Sequence, residues 1–147
     1  MDEIRSLLDS GAEWFLESFT FDGHVLRVRI VEGIGSTTPT ELELGGQNLG
    51  PSYEITIEPE SRHVEVEFSG VAASQVILES LATPDAQERY TPGRLRRYEQ
   101  SAYLDFMRAS TLLDKLHEGQ LTHYGLTLAD HVIDVLCGAP PRARVVQ

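Results

Sequence analysis

Tyr53-Glu54-Ile55-Thr56-Ile57-Glu58-Pro59-Glu60-Ser61-Arg62-His63-Val64-Glu65-Val66-Glu67-Phe68 is the stretch on which the reading of this chain turns. On both sides of Pro59-Glu60-Ser61-Arg62, apolar and polar residues alternate one by one. Successive side chains of a strand point to opposite faces, so the pattern is that of two antiparallel strands with one dry and one wet face. Tyr53, Ile55, Ile57, Val64, Val66 and Phe68 are then expected in the core. If Glu58 lies opposite His63, the wet face sets Thr56 against Glu65 and Glu54 against Glu67. Like charges directly opposite on a sheet oppose pairing by roughly a few tenths of a kcal/mol. Folding does not ask for such a pair. Glu54, Glu58, Glu65 and Glu67 are therefore candidate contacts for a basic partner.

Upstream, Glu13–Phe21 and His24–Glu32 flank Asp22-Gly23, a strong signal for a tight hairpin turn. With Phe21 opposite His24, one face carries Phe15, Phe19, Phe21, Leu26, Val28 and Ile30. Glu17 interrupts that face. Asp2 to Ser10 places Ile4, Leu7 and Leu8 at helical spacing and Gly11 stops the run, which predicts a short amphipathic helix capping the core. Gly33 to Thr38 and Gly45 to Ser52 read as loops around a short strand at Glu41 to Leu44. A further strand is expected around Gln75–Glu79.

After Leu81 the composition shifts, and Ala82 to Gly93 reads as a polar connection. Leu95, Tyr98, Ala102, Phe106, Leu113 and Leu116 recur mostly at three or four, which predicts the longest helix of the chain, ended by Gly119. Thr122–Leu126 reads as a strand. Thr127-Leu128-Ala129-Asp130 resembles a capping box, with Leu128, Val132, Ile133 and Leu136 on one helical face. A strand over Val132–Cys137 fits the same residues, and periodicity leaves the two open. Strands first and helices last predict one α+β domain over residues 1–147. It would hold a mostly antiparallel sheet of about six strands, a short N-terminal helix, and C-terminal helices on one face.

Charge is unevenly placed. Residues 1–88 hold 17 Asp and Glu against 4 Arg, and residues 89–147 hold 6 acids against 8 bases, within a net charge of −11. A pI near 4.8 argues against nucleic acid and against an anionic membrane surface. Basic proteins remain plausible partners. Cys137 is the single cysteine, so no internal disulfide forms, and with no signal-peptide pattern at Met1 to Ser6 the cytoplasm is the simplest compartment.

Other residue sets invite chemistry. His117, His123 and His131 lie near Asp130, Asp134 and Cys137, and a ligand or enzymatic site near His123, His131 and Asp134 is one reading. The spacings match no familiar metal motif, so neither a metal nor a cofactor is expected. Cys137 is read as packing rather than as a nucleophile. Arg94, Arg96 and Arg97 form the one basic cluster. It is placed near the start of the long helix, where it would bind an anion or neutralise the acidic half within the monomer or across a homodimer. Trp14 and Tyr103 can wall a ligand but are read as packing.

The closing block His123-Tyr124-Gly125-Leu126-Thr127 running into Asp130-His131-Val132-Ile133-Asp134-Val135-Leu136, with Tyr98-Glu99-Gln100-Ser101-Ala102-Tyr103-Leu104 before it, resembles small acidic bacterial proteins, some of them immunity proteins that neutralise toxins. The resemblance covers about the last third of the chain. It carries no catalytic residues and leaves fold and partner open, and the acidic sheet face makes a non-enzymatic protein docking a basic partner, of immunity or inhibitor type, the leading expectation. A small-ligand or enzymatic domain and a structural homodimer subunit are the alternatives.

Overall fold

The computed structural model describes residues 1–11 and 13–147. In chain order come helix α1 (Asp2–Asp9), strands β1 (Glu13–Asp22), β2 (Val25–Gly35), β3 (Thr40–Leu44), β4 (Gln47–Ser52) and β5 (Ile55–Thr56). Next are β6 (His63–Phe68), β7 (Val71–Leu78), a 3₁₀ turn at Glu79–Leu81, β8 (Arg89–Tyr90) and β9 (Leu95–Gln100). Then come helices α2 (Ala102–Ser110) and α3 (Leu113–Leu116), followed by β10 (Thr122–Thr127), β11 (His131–Cys137) and β12 (Arg142–Val145). One sheet has the order β1-β2-β6-β12 with β5 beside β2, a second has the order β7-β11-β10-β9-β8, and β3-β4 is a separate hairpin. All pairings are antiparallel. No helix among the described residues is long and apolar enough to cross a membrane.

The antiparallel, mixed α and β character expected from the sequence is present. The expected six-stranded sheet with helices behind it is not: twelve strands in three sheets are seen among the described residues, with three helices. The inner faces of the two large sheets share one core. Leu26, Val28, Ile30, Val64, Val66 and Phe68 come from the first, and Leu95, Tyr124, Leu126, Ile133, Val135 and Cys137 from the second. The chain crosses between sheets at Ser69-Gly70, directly from β6 to β7. Helix α1 adds Ile4 and Leu8 to one end of the core. Cys137 is fully buried within the core, its Sγ 3.3 Å from the carbonyl of Ala139, and burial pushes the thiol pKa up to about 11.

The first hairpin forms with a shifted register. Asp22 pairs with Val25, Phe21 with Leu26 and Phe19 with Val28, and the ladder slips between Leu16 and Ser18. Glu17, the residue that broke the apolar face in the sequence, is the extra residue of a β-bulge. The bulge brings Leu16 opposite Ile30 and sends Phe15 to Val31 on the other face. The Leu16 N–H at the bulge donates to Asp130 Oδ1 at 3.1 Å.

The decisive stretch folds differently from its pattern. His63–Phe68 is a strand, but Tyr53–Glu58 contributes only Ile55–Thr56, paired with Ile34 and Gly35 of β2. Tyr53, Ile55 and Ile57 are exposed rather than core. The reason lies in competition for one partner. β2 is long enough to pair with β6 along Leu26 to Val31, and that places Arg27 opposite Glu67 and Arg29 opposite Glu65. Strand β12, absent from the sequence reading, adds Arg142 opposite Glu67 and Arg144 opposite Glu65. Opposite charges thus replace the like-charge pairing of Glu54 with Glu67. Gly45 to Ser52, read as loop, is instead a two-glycine turn at Gly45-Gly46, with φ of 60° and 78°, followed by β4.

Glu65 is the centre of this ladder. Its side chain is 6% exposed, with Arg144 Nη2 at 2.9 Å and Arg29 Nε at 3.1 Å. Hydrogen bonding to Arg144 first, against the opposing pull of burial, holds its carboxyl below the usual range. A group with a depressed folded pKa contributes stability that is full above its unfolded pKa and is lost as pH falls through the folded one. Glu65→Gln is expected to cost about 2 kcal/mol at neutral pH. The deficit should shrink as the wild type is acidified below the ordinary carboxylate range, as urea unfolding at several pH values will show.

The C-terminal half carries the largest corrections. The predicted long helix is a strand followed by two short helices. Leu95-Arg96-Arg97-Tyr98-Glu99-Gln100 is β9, and Ser101 then caps α2 by accepting from the Leu104 N–H at 2.9 Å. Of the two readings left open over residues 128–137, the strand is the one present, as β11 over His131–Cys137. Thr127-Leu128-Ala129-Asp130 leads into the β10–β11 turn, closed by the Leu128 N–H on the His131 carbonyl at 2.8 Å, and is no helix cap. The C-terminal segment therefore supplies the middle of the second sheet rather than a layer behind it.

Candidate functional site

The outer face of the second sheet carries a row that the register assembles strand by strand: Arg96 opposite Gly125, Gly125 opposite Asp134, Asp134 opposite Gln75. Gly125 leaves a dip in the middle of the row. A Cβ there would meet Tyr98 Cε2 at 3.0 Å and Asp134 Oδ1 at 3.6 Å. The missing side chain lets the Tyr98 ring lean across β10 and lets Asp134 reach diagonally to its neighbour His123. Tyr98 lies flat on the imidazole, with centroids 3.8 Å apart and planes 6° apart, and Tyr103 from α2 meets it edge-on at 5.5 Å.

His123 is 2% exposed and bonded at both nitrogens, with Ser101 Oγ 2.6 Å from Nδ1 and Asp134 Oδ1 2.7 Å from Nε2. Gln75 Nε2 donates to Asp134 Oδ2 at 2.9 Å. One direction of donation satisfies every partner. Leu104 N–H gives to Ser101 Oγ, the Ser101 hydroxyl gives to Nδ1, and Nε2–H gives to Asp134. Ser101 and Asp134 are themselves 6% and 8% exposed. Buried polar groups of this kind are tolerated because each is bonded.

Above this floor lies a cavity of about 570 Å³, roofed by α2 and by the segment from Glu79 to Glu88. Tyr90, Tyr98, Tyr103 and Phe106 line it, along with Glu88 and Arg96. Burial raises the hydroxyl pKa values of Tyr98 and Tyr103 above the ordinary 10, so both hydroxyls stay protonated donors at neutral pH. The Arg96 guanidinium sits 4.2 Å from the Tyr90 ring centroid, a cation–π contact, with Nη1 3.5 Å from the Tyr98 hydroxyl. Glu88 Oε2 accepts from the Ala102 N–H at 3.2 Å, which ties the roof segment to the start of α2. A second cavity of about 450 Å³ lies beside it, lined by Ser101, Leu104, Arg97, Arg108 and Thr122, and shares only Tyr98 and His123 with the first.

Of the residues singled out in the sequence, His123 and Asp134 come together here, whereas His131 does not. Strand alternation puts His131 on the opposite face of β11, where Nδ1 lies 3.2 Å from Asp130 Oδ2. Among the described residues no three His, Cys, Asp or Glu side chains are grouped to hold a metal ion. The acidic candidates are separated. Glu65 and Glu67 are in the arginine ladder, while Glu54 and Glu58 are exposed beyond it, Glu58 accepting from the Thr56 hydroxyl at 2.6 Å. Arg94, Arg96 and Arg97 do not open a helix. Arg96 and Arg97 point to opposite faces of β9, and Arg94 lies 3.6 Å from Glu13. Trp14 is core, but Tyr103 does wall the cavity. The sequence reading missed Ser101, Tyr98 and Gln75. Ser101 carried a usable signal, a serine directly before an apolar helical run. No family model, curated protein or solved structure matches the chain.

Proposed function

We propose that this chain binds a small molecule in the cavity on the outer face of its second sheet. The observation that carries the reading is the pre-organised floor. A buried imidazole is fixed at both nitrogens and clamped between two tyrosines at the base of a concave, aromatic-lined space of about 570 Å³. Small-molecule sites are concave, roughly 300–1,000 Å³, mostly apolar, with a few convergent polar groups. Glu79, Asp85, Glu88 and Asp134 line the cavity against the single guanidinium of Arg96, and that guanidinium already rests on a tyrosine ring. Carboxylates beside aromatic faces favour an organic cation, an amine or a guanidine carried on an apolar body.

The test is a screen of aliphatic and aromatic amines by amide-resolved NMR. Binding should move the amides of Gly125, Thr127 and Tyr103 together. Phe106 is 63% exposed, so Phe106→Ala keeps the fold and removes only a wall of the site. That variant is expected to weaken binding roughly tenfold with unchanged thermal stability. Shifts confined to residues away from the cavity would exclude this site.

The docking of a basic protein remains a distinct proposal. With Glu65 and Glu67 neutralised by arginines, the carboxylates left to it are Glu54 and Glu58 together with the exposed Glu41 and Glu43 of the β3–β4 hairpin. Neutralising those four should slow association and flatten its salt dependence.

A further inference from the structure

We propose that Ser101, His123 and Asp134 also form an acyl-transfer site, in which Ser101 Oγ attacks a small ester from the second cavity. The position of Ser101 is the first argument. It stands at the corner where β9 ends and α2 begins, a strand-to-helix turn that presents a hydroxyl at the end of a sheet. The flanking residues are Gln100 and Ala102, not the glycines of the common nucleophile turn, and Ser101 has ordinary extended φ and ψ of −130° and 115°.

The second argument is that capping explains only part of the geometry. A cap needs Oγ to accept from the Leu104 N–H, which it does. It needs neither an imidazole nitrogen at 2.6 Å nor a carboxylate at 2.7 Å behind that imidazole. Burying this carboxylate–imidazole pair costs desolvation that an apolar pair would avoid. A hydroxyl bonded to a base whose far side is held by a third group is the arrangement that activates a serine. Here Nδ1 faces the serine and Nε2 the carboxylate, the reverse of the serine-protease order. Either imidazole nitrogen can take the proton. Access is the third argument. Ser101 and His123 both line the cavity of about 450 Å³, whereas Asp134 lies on the other side of the ring.

In the reaction, Ser101 Oγ bonds to the ester carbonyl carbon, its proton passes to His123 Nδ1, and the carbonyl electron pair moves onto oxygen. Collapse of the tetrahedral intermediate breaks the bond to the leaving alkoxide, which takes the proton from Nδ1 and departs as an alcohol. Water then attacks the acyl-serine by the same proton path and releases the carboxylic acid. Asp134 is a positioning residue that holds the ring through its Nε2–H. The Ala102 N–H that follows the serine is occupied by Glu88 Oε2 at 3.2 Å, on the side of the first cavity.

The experiment is to incubate the full chain with a fluorophosphonate and read the intact mass, followed by peptide mapping. The probe forms an Oγ–P bond and loses fluoride as the proton goes to His123. One adduct per chain on Ser101 is expected, absent from Ser101→Ala and from the urea-unfolded wild type. The labelling rate should rise with pH to a plateau, and Asp134→Asn should move the inflection to lower pH. No adduct on the folded wild type, or an adduct on another residue, would overturn the proposal. A labelling rate that Asp134→Asn leaves unchanged at every pH would overturn the role of the carboxylate.

Discussion

Trp14→Ala is expected to cost about 4 kcal/mol, the largest loss from any single side chain in this fold. Trp14 is fully buried and joins three parts of the chain. Its indole Nε1–H donates to the Leu8 carbonyl at 2.7 Å, at the end of α1. Its own carbonyl accepts from the Ala129 N–H at 2.8 Å, in the turn between β10 and β11 of the other sheet. The Arg62 guanidinium covers the ring at 5.4 Å from the centroid while bonding Glu32, opposite Trp14 on β2. Truncation leaves a cavity against Leu8 and Ile4 and strands the Leu8 carbonyl. Thermal unfolding should fall by roughly 12 °C for a domain of this size. Trp14→Phe restores most of the volume but not the bond, and should recover about half of the loss. Equal losses for the two variants would show that the hydrogen bond, not the packing, matters.

Asp134→Ala is expected to cost about 3 kcal/mol and to disable the site at the same time. The substitution removes both acceptors at once, leaving the buried His123 Nε2–H without a partner, while the exposed Gln75 amide turns to water. The imidazole then loses its fixed direction, and Ser101 loses a base held in register. A comparison separates fold from chemistry. Gln75→Leu removes only the second donor to Asp134 and leaves the His123 contact in place. It should cost well under half as much and leave the Ser101 adduct rate within about twofold. Urea unfolding of both variants, beside fluorophosphonate labelling, provides the check.

The parts of the fold that the sequence made legible are those set by local patterns. The first hairpin, with its turn one residue further on at Gly23-His24, and α1, His63–Phe68 and Thr122–Leu126 each rest on turn chemistry or on an uncontested period, and each is present. Where two patterns overlapped, tertiary pairing decided. Leu95, Tyr98, Ala102 and Phe106 fit a helical spacing and Leu95 to Gln100 shows no clean alternation, yet the strand wins because β10 offers it a partner at Tyr124 to Leu126. Ile55 and Ile57 alternate as well as Val64 and Val66 do, but β2 can pair fully with only one of the two segments on that side. At the candidate site, His123 and Asp134 could be grouped by nearness in sequence. Their contact with Tyr98 and Ser101 depends on the β9–β10 pairing and on the gap at Gly125, neither of which a single-chain pattern encodes.

The lone thiol at the centre of this sandwich has a use apart from packing. Cys137 is sealed between the sheets and its pKa stands near 11, so a thiol reagent at neutral pH can capture it only when the layers part. With reagent in excess, the rate of capture becomes a stopwatch for spontaneous opening, free of any engineered label. Run in parallel on the ligand-bound chain, the same stopwatch reports how firmly an occupant of the outer cavity bolts the two layers together.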